Sequence, residues 1–492
     1  VTRVRLLASC LLFTGLTGCA VGPDYVRPQL DLGGAFPSAK TVEATPGAAA
    51  VDLSRWWDGF HDPVLASLVG RALQQNLDLQ QAYARVTQAR AGLTQANAAL
   101  LPSGNLQVDA SKTHQSLDTP LGQLLDATPG FDRNGHYYEG DATASWELDV
   151  FGGLRRDREA AMAEYEASRA AAAATRVSIA AETADAYIRM RGLQTRIAIA
   201  RQQVDTSTRL VDTVRLQFQK GVAAELQLRQ AEGALSQVSA TVPALQVELD
   251  QTMNAIDVLT GVPAGTLRDE LSRPGTIPGV PALGVMGTPG DLLRRRPDLI
   301  VAERRLAGSN AAIGHAIAEY YPHFSLGALV GSATIFSSTF LDSSASQATG
   351  TLGLRWRLFD FGRVSADIAA AKGRRQEALL AYRQAALRAT EDVEDALSAL
   401  VRREQQSREL AGGVASLQRA RDASFAAYKG GVVSLIEVLD ADRALLGSRT
   451  DQAAADELAA RAAVASFRSL GGGWDSSTDA QQPVADAASP LH

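Results

Sequence analysis

Two rhythms of apolar residues alternate along the chain. From Pro63 to Leu100 runs an unbroken series of helix formers that Pro102 stops, which predicts one long helix. Short segments with a period of two follow. In the second of these, Ala142, Ala144, Trp146 and Leu148 share one face, while Asp141, Thr143, Ser145, Glu147 and Asp149 share the other, as a β-strand requires. About sixty residues without proline come next, from about Leu154 to Val214, a helix on the order of 90 Å long at its standard rise per residue. It ends at Lys220-Gly221, where glycine takes the positive φ that closes a helix, and a second helix returns.

The same order then repeats. Trp146-Glu147-Leu148-Asp149-Val150-Phe151-Gly152 is echoed by Trp356-Arg357-Leu358-Phe359-Asp360-Phe361-Gly362, and Phe218-Gln219-Lys220-Gly221-Val222 by Tyr428-Lys429-Gly430-Gly431-Val432, both at an offset of 210 residues. Upstream, Asn76-Leu77-Asp78-Leu79 matches Arg296-Pro297-Asp298-Leu299 at an offset of 220, as Pro102 matches Pro322. The first copy therefore holds about ten extra residues, which fall where Pro120, Gly122, Pro129, Gly130 and Gly135 mark a longer loop. Each copy reads helix, strand, loop, strand, helix, turn, helix. The second long helix spans Arg363 to Ala427 and ends at Gly430-Gly431.

The strands of the second copy place Phe324, Leu326, Ala328 and Val330 on one face, then Leu352, Leu354, Trp356 and Leu358, with Thr351, Gly353, Arg355 and Arg357 opposite. Periodicity alone fits either a sandwich, polar face to water, or a membrane barrel, polar face to a wet lumen and Trp146 and Trp356 near an interface. The long helices exclude a compact domain and must pack laterally, their alanines allowing close approach. Four strands cannot close a barrel around a pore. Three copies would supply twelve and leave no edge exposed.

The chain opens with Arg3, Arg5 and an apolar run from Leu6 to Leu16, too short to span a bilayer, which reads as a secretory signal over residues 1–18. Leu16-Thr17-Gly18-Cys19 resembles the lipobox at which lipoproteins are cut, with Ala20 pointing to the outer membrane. Cys10 falls within the signal, so no disulfide framework is expected. Without the signal, 46 basic residues face 54 acidic ones, an acidic balance unsuited to nucleic acid. No stretch of eighteen apolar residues follows Cys19.

Several residue groups together resemble the outer-membrane factors of the TolC and OprM type, and among them the NodT group of lipoproteins. They are Cys19-Ala20-Val21-Gly22-Pro23-Asp24-Tyr25, Trp56-Trp57 with Phe60 and Asp62-Pro63, Arg296-Pro297-Asp298-Leu299 with Tyr321-Pro322, the two Trp-to-Phe-Gly strand ends and Leu470-Gly471-Gly472-Gly473-Trp474. The resemblance runs from the lipobox to Trp474. It implies an α+β membrane protein of tandem-duplicated helical coiled-coil hairpins with four β-strands per protomer, a homotrimer whose twelve-stranded outer-membrane β-barrel continues into a periplasmic α-helical tunnel. Its parts would be the signal, a lipidated segment with equatorial residues over 19–61, a first repeat over 62–261, an equatorial linker over 262–288, a second repeat over 289–474 and a disordered tail over 475–492. Cys19 would carry N-palmitoyl and S-diacylglycerol groups in outer-membrane lipid, with no other cofactor. The implied function is the exit duct of a tripartite efflux system, passing small molecules such as drugs. Its partners would be a periplasmic adaptor and an inner-membrane pump of the resistance-nodulation-division type. The alternatives are the outer-membrane part of a type I protein secretion system and a periplasmic adaptor lipoprotein; the latter would carry one hairpin, not two.

Carried over residue by residue, the periplasmic gate falls on Tyr428, Gly431, Ile436, Glu437 and Asp440, with Phe218 and Gly221 as first-repeat counterparts. Glu437 and Asp440, three apart, share a helix face; in a trimer they would ring the mouth with six carboxylates and favour cations. The plainer reading makes them solvated acids near a helix start. Ala427, Val433 and Gln227 depart from the tether residues common in relatives, so closure is expected to lean on Tyr428 and on packing around Ile436. Trp56-Trp57 reads as a buried aromatic anchor of the equatorial belt, not a sugar platform. The histidines lack metal-ligand spacing, and Gly471 to Gly473 precedes no helix, so neither a metal enzyme nor a phosphate-binding one is expected.

Overall fold

A computed structural model describes residues 20–39, 52–281, 283 and 288–475 of the 492-residue chain. Cys19, the expected signal and most of the expected tail lie outside the described residues. The elements follow the order read from the sequence. The first repeat contains α1 (Pro63–Gln75), α2 (Leu77–Ala98), β1 (Ser103–His114), β2 (Asn134–Leu148), α3 (Gly153–Gln219) and α4 (Glu225–Leu259). The second contains α5 (Pro289–Arg295), α6 (Pro297–Ala318), β3 (His323–Thr334), β4 (Ser346–Arg355), α7 (Arg363–Lys429) and α8 (Leu435–Ser469). Helices α3 and α7 have 67 residues each, and α4 and α8 have 35 each. At 1.5 Å per residue the longer pair reaches on the order of 100 Å. Among the described residues no helix is long and apolar enough to cross a membrane.

One expectation needs correction. The run from Pro63 to Leu100 is not one helix, because Asn76 leaves helical geometry at ψ 128° and divides it. Its side-chain oxygen accepts from the amides of Asp78 and Leu79 at 2.9 and 3.0 Å, capping α2, while its amide nitrogen donates to the Leu259 carbonyl at 3.0 Å. A buried Asn with this many partners outweighs the helix propensity around it. At the matching position Arg296 breaks the second repeat between α5 and α6. Its guanidinium binds Asp298 and Asp392 and the carbonyls of Ala389 and Ser469.

The chain forms two compact units, each drawing on both repeats. One comprises residues 20–28 with Gln88–Ala167 and Glu303–Ala381. Its four strands form an antiparallel sheet in the order β1-β2-β3-β4. The β1–β2 ladder, Ser103 opposite Ser145, recurs in the β3–β4 ladder as His323 opposite Arg355, at the sequence offsets of 220 and 210. The duplication therefore holds to the level of hydrogen-bond register. The extra residues of the first copy lie between β1 and β2, where Pro120–Asp126 forms a short helix.

Residues 20–25 dock within this unit. Gly22, at φ +92°, approaches Gly314 so closely that a Cβ would stand 2.4 Å from its Cα. Arg156 donates to the Val21 and Gly22 carbonyls and pairs with Asp24 and Glu159 at 2.8 and 2.7 Å. The Pro23 carbonyl accepts from Asn310, and the Tyr25 hydroxyl donates to Glu303.

The second unit, made of the described residues within 29–87, 168–302 and 382–475, holds the largest apolar core among the described residues. Trp56 is fully buried, stacked on Phe467 with ring centroids 5.3 Å apart, with Trp57 and Phe60 edge-on to it. The Trp pair is thus a core anchor. The glycine run closes over it: the Gly473 amide donates to Leu53 at 2.7 Å, and a Cβ on Gly472 would meet Trp56 at 2.9 Å. Residues after Val262 strap this unit. Glu270 pairs with Arg71 at 2.7 Å, and the Leu271 and Arg273 carbonyls accept from Gln194 and Arg191. On α8, buried Glu457 faces Arg196 and Arg461 in space that Gly192 leaves open, and burial pushes its carboxyl above the usual range.

Trp56→Ala should destabilise the chain by about 3–5 kcal/mol, read as a lowered denaturation midpoint. The folded chain holds the Glu457 proton more tightly than the unfolded chain does. Its contribution is therefore most favourable at low pH and declines as pH rises from the unfolded value through the folded one. Glu457→Gln should match the native chain in melting temperature near pH 4 and exceed it at pH 8. An advantage confined to acid would reverse the assignment.

Candidate functional site

Two places gather the residues singled out from the sequence. The first is the pair of helix turns. In the first repeat the Val222 amide donates to the Gln217 carbonyl and the Gly221 amide to Phe218, each at 2.9 Å, with Gly221 at φ +73°. In the second, Val432 donates to Ala427 and Gly431 to Tyr428, also at 2.9 Å, with Gly431 at φ +72°. Both are helix stops in which a left-handed glycine lets two amides turn back to the last carbonyls. A side chain at either glycine would strain the backbone.

Next to these turns Leu210, Val211, Val214, Leu228, Ala231, Leu435 and Val438 form a small core, with Tyr428 packed on it. The Tyr428 hydroxyl donates to Gln217 Oε1 at 2.7 Å, joining the last turn of α7 to the last turn of α3. Burial raises the phenol above its ordinary pKa, so it stays protonated and able to donate near neutral pH. Phe218, its counterpart in the repeat, is exposed.

The first turn of α8 sorts the remaining residues by face. Leu435 and Val438 are buried, whereas Ile436 is 53% exposed. The expected packing around Ile436 is therefore made within this chain by its neighbours, because residues three apart share the inward face. Glu437 and Asp440 are both exposed; Glu437 lies 3.4 Å from Ser434 Oγ, and Asp440 pairs loosely with Arg443 at 3.8 Å.

Other tethers escaped the sequence reading. Arg421 Nε donates to buried Asp442 at 2.7 Å, linking α7 to α8, and its guanidinium covers the Phe425 ring. At the position equivalent to Asp442, Glu232 takes Arg215 of α3. Arg421 and Asp442 lie nearly equidistant from Gly431 along the chain, which is the spacing antiparallel helices need; that signal was available. Gln217 had none, since its partner belongs to the other repeat. Gln227 acts locally, its Oε1 accepting from the Ala224 amide at 3.0 Å and so capping α4.

The second place is the sheet, whose apolar face no other layer covers. Leu106 and Val108 of β1, Trp146 of β2, Leu326 and Val330 of β3, and Leu352 and Leu354 of β4 are all exposed on one face. On the other, Asp141 is buried and accepts from Gln347 at 2.8 Å, with Glu139 also in reach of that amide. Trp146 Nε1 donates to the Leu100 carbonyl and Trp356 Nε1 to the Tyr320 carbonyl, each at 3.0 Å. Both rings thus occupy equivalent places, one at the end of each helix that leads into the sheet. Among the described residues no group of His, Cys, Asp and Glu is arranged to hold a metal.

The chain matches the family model described as "Outer membrane efflux protein" twice, over residues 68–262 and 288–472. It is 30% identical to nodulation protein T of Rhizobium leguminosarum bv. trifolii over 87% of this chain and 89% of that protein. Its identity to outer membrane protein OprJ of Pseudomonas aeruginosa is also 30%, over 95% of this chain and 96% of OprJ. The solved outer-membrane channel OprN superposes with a TM-score of 0.82 at 33% identity, covering 93% of this chain and all of that one. With both repeats matched and the whole fold shared with a channel, the chain belongs to the outer membrane efflux protein family.

Proposed function

We propose that three copies of this chain close a twelve-stranded barrel in the outer membrane, their long helices forming a periplasmic tunnel through which efflux substrates leave the cell. The observation that carries this is the sheet: an apolar face with no layer over it, a polar face carrying the Asp141–Gln347 pair, and free outer edges on β1 and β4. Hydrocarbon tolerates strands only when every backbone donor and acceptor is paired, and closure alone achieves that. Trp146 and Trp356 then sit at a membrane interface, with their ring N–H groups already satisfied by helix-end carbonyls. Acylated Cys19 is an auxiliary tether in outer-membrane lipid, its following residues held by Arg156.

The protein does no chemistry in this reading. Drive and substrate choice come from an inner-membrane pump of the resistance-nodulation-division type, joined through a periplasmic adaptor. The helix turns form the gate. Tyr428–Gln217 and Arg421–Asp442 hold the helices at the mouth in a closed arrangement, Gly221 and Gly431 fix the turns, and exposed Ile436, Glu437 and Asp440 are free to face the mouth. Phe218, exposed where Tyr428 is packed, is its counterpart in the first repeat.

Native mass spectrometry of the detergent-extracted protein should give a trimer, and a monomer would sink the architecture. In planar bilayers, Tyr428→Phe combined with Arg421→Ala should raise single-channel conductance several-fold. Glu437→Ala with Asp440→Ala should lower preference for cations over anions. Unchanged conductance and selectivity in both variants would remove the gate from this end of the helices.

A further inference from the structure

In the half of the sheet remote from the helices, the pleat of β1 and β2 sorts charge by face. Asp109 of β1 with Glu139 and Asp141 of β2 occupy the face of the Asp141–Gln347 pair. Lys112 and His114 of β1 with His136 of β2 occupy the face that carries Leu106, Val108 and Trp146. The register sets Lys112 directly opposite His136, with His114 beside them opposite Asn134. A lysine and a protonated imidazole facing each other across strands repel unless an anion lies between them. Among the described residues neither makes an ion pair. Both are exposed, His136 stacks on Tyr138 with ring centroids 6.2 Å apart, and His114 Nδ1 lies 2.8 Å from Asn134 Oδ1. The neighbouring Asp132 carboxylate is taken up by the backbone and side-chain amides of Asn134, at 2.9 and 3.2 Å.

Ten residues separate Trp146 from His136 along β2. At about 3.4 Å per residue and a tilt of about 40° they cover a height of roughly 26 Å, against about 25 Å for the apolar band of an outer-membrane barrel. Between them the β2 residues on this face, Tyr138, Gly140, Ala142 and Ala144, and those opposite on β1 carry no charge. The Phe340 ring fills the space over Gly140, where a Cβ would stand 2.8 Å from it. Trp146, at the helix end, thus marks one boundary of the hydrocarbon, and the Lys112–His136 pair marks the other. We propose that Lys112 and His136, with His114, bind the phosphate group of a phosphorylated glycolipid in the outer leaflet of the outer membrane, one site on each copy. This rests on the barrel reading and adds a lipid ligand to it. The Lys112 ammonium supplies a point charge and the imidazoles supply N–H donors to phosphate oxygens. Acyl chains run along the stripe of Leu106 and Val108, and Tyr138 and Phe340 pack just below the headgroup. Asp109, Glu139 and Asp141 would repel the same headgroup from the opposite face.

The probes are lipid A carrying two phosphates and the same lipid with both removed, each added to the delipidated, detergent-purified protein and counted by native mass spectrometry. The native chain should retain the phosphorylated lipid, up to three per trimer, and bind the dephosphorylated one roughly tenfold more weakly. Lys112→Gln with His136→Gln should weaken binding of the phosphorylated lipid by a similar factor, and Lys112→Arg should keep it. Asp109→Asn, on the opposite face, should leave it unchanged. If the double variant assembles poorly, Lys112→Gln alone carries the test, with a several-fold loss expected. Equal retention of the two lipids, or binding unaffected by Lys112→Gln alone and with His136→Gln, would overturn the site. Displacement of the lipid by millimolar inorganic phosphate would overturn the lipid as its ligand in favour of a free anion. A trimer that conducts in planar bilayers yet retains no lipid A would overturn this inference alone, whereas a monomer would overturn the barrel reading with it.

Discussion

The architecture depends on one constraint, that a β-strand bordered by hydrocarbon can leave no backbone amide or carbonyl unpaired. The sheet satisfies it for β2 and β3, whose neighbours are supplied by the same chain, and leaves it unmet at the outer edges of β1 and β4. Its exposed leucines and valines would be a liability in water and are ordinary against lipid. A family of outer-membrane channels resolves both problems at once. Closure pairs the edges and turns the apolar face to lipid, leaving Asp141, Gln347 and Glu139 for the lumen.

Duplication makes the design economical. One pattern of strand pair and long hairpin, used twice, reproduces the β1–β2 register in β3–β4 and the two-amide glycine stop at both turns. The copies diverge where the chain is asked for something only once. Asn76 breaks one helix by capping, Arg296 breaks the other with ion pairs and carbonyl contacts, and Tyr428 reaches Gln217 while Phe218 reaches nothing comparable. The single N-terminal arm is likewise docked at one repeat end, against Gly152 and Gly314. In the proposed trimer, such asymmetry places the Tyr428–Gln217 link and the docked N-terminal arm at every second position of the ring.

Much of this was legible in the sequence, because periodicity and repetition are local or strictly offset. Prolines, glycines and alternating residues placed four strands and two long hairpins, and the Trp-to-Phe-Gly echoes gave the register offsets that the ladders follow. The buried Trp56 and the glycine turns were likewise visible as residue types with few alternative roles. The break at Asn76 was not, since one of its partners, the Leu259 carbonyl, is distant in sequence and a lone Asn inside a helix-forming run carries no distinctive local sign.

What only the tertiary structure decided is which side chains meet across helices and that no second layer covers the sheet. Alternation says that Ala142, Ala144 and Trp146 share a side, and is the same for a sandwich and a barrel; the choice appears when no second layer covers that side. In the same way Ile436 and Leu435 are equally apolar in sequence, and only the packing of α8 buries one and exposes the other. Local chain energetics fix the elements and their periods, whereas burial and long-range hydrogen bonds are set by neighbours that the chain brings together from hundreds of residues away.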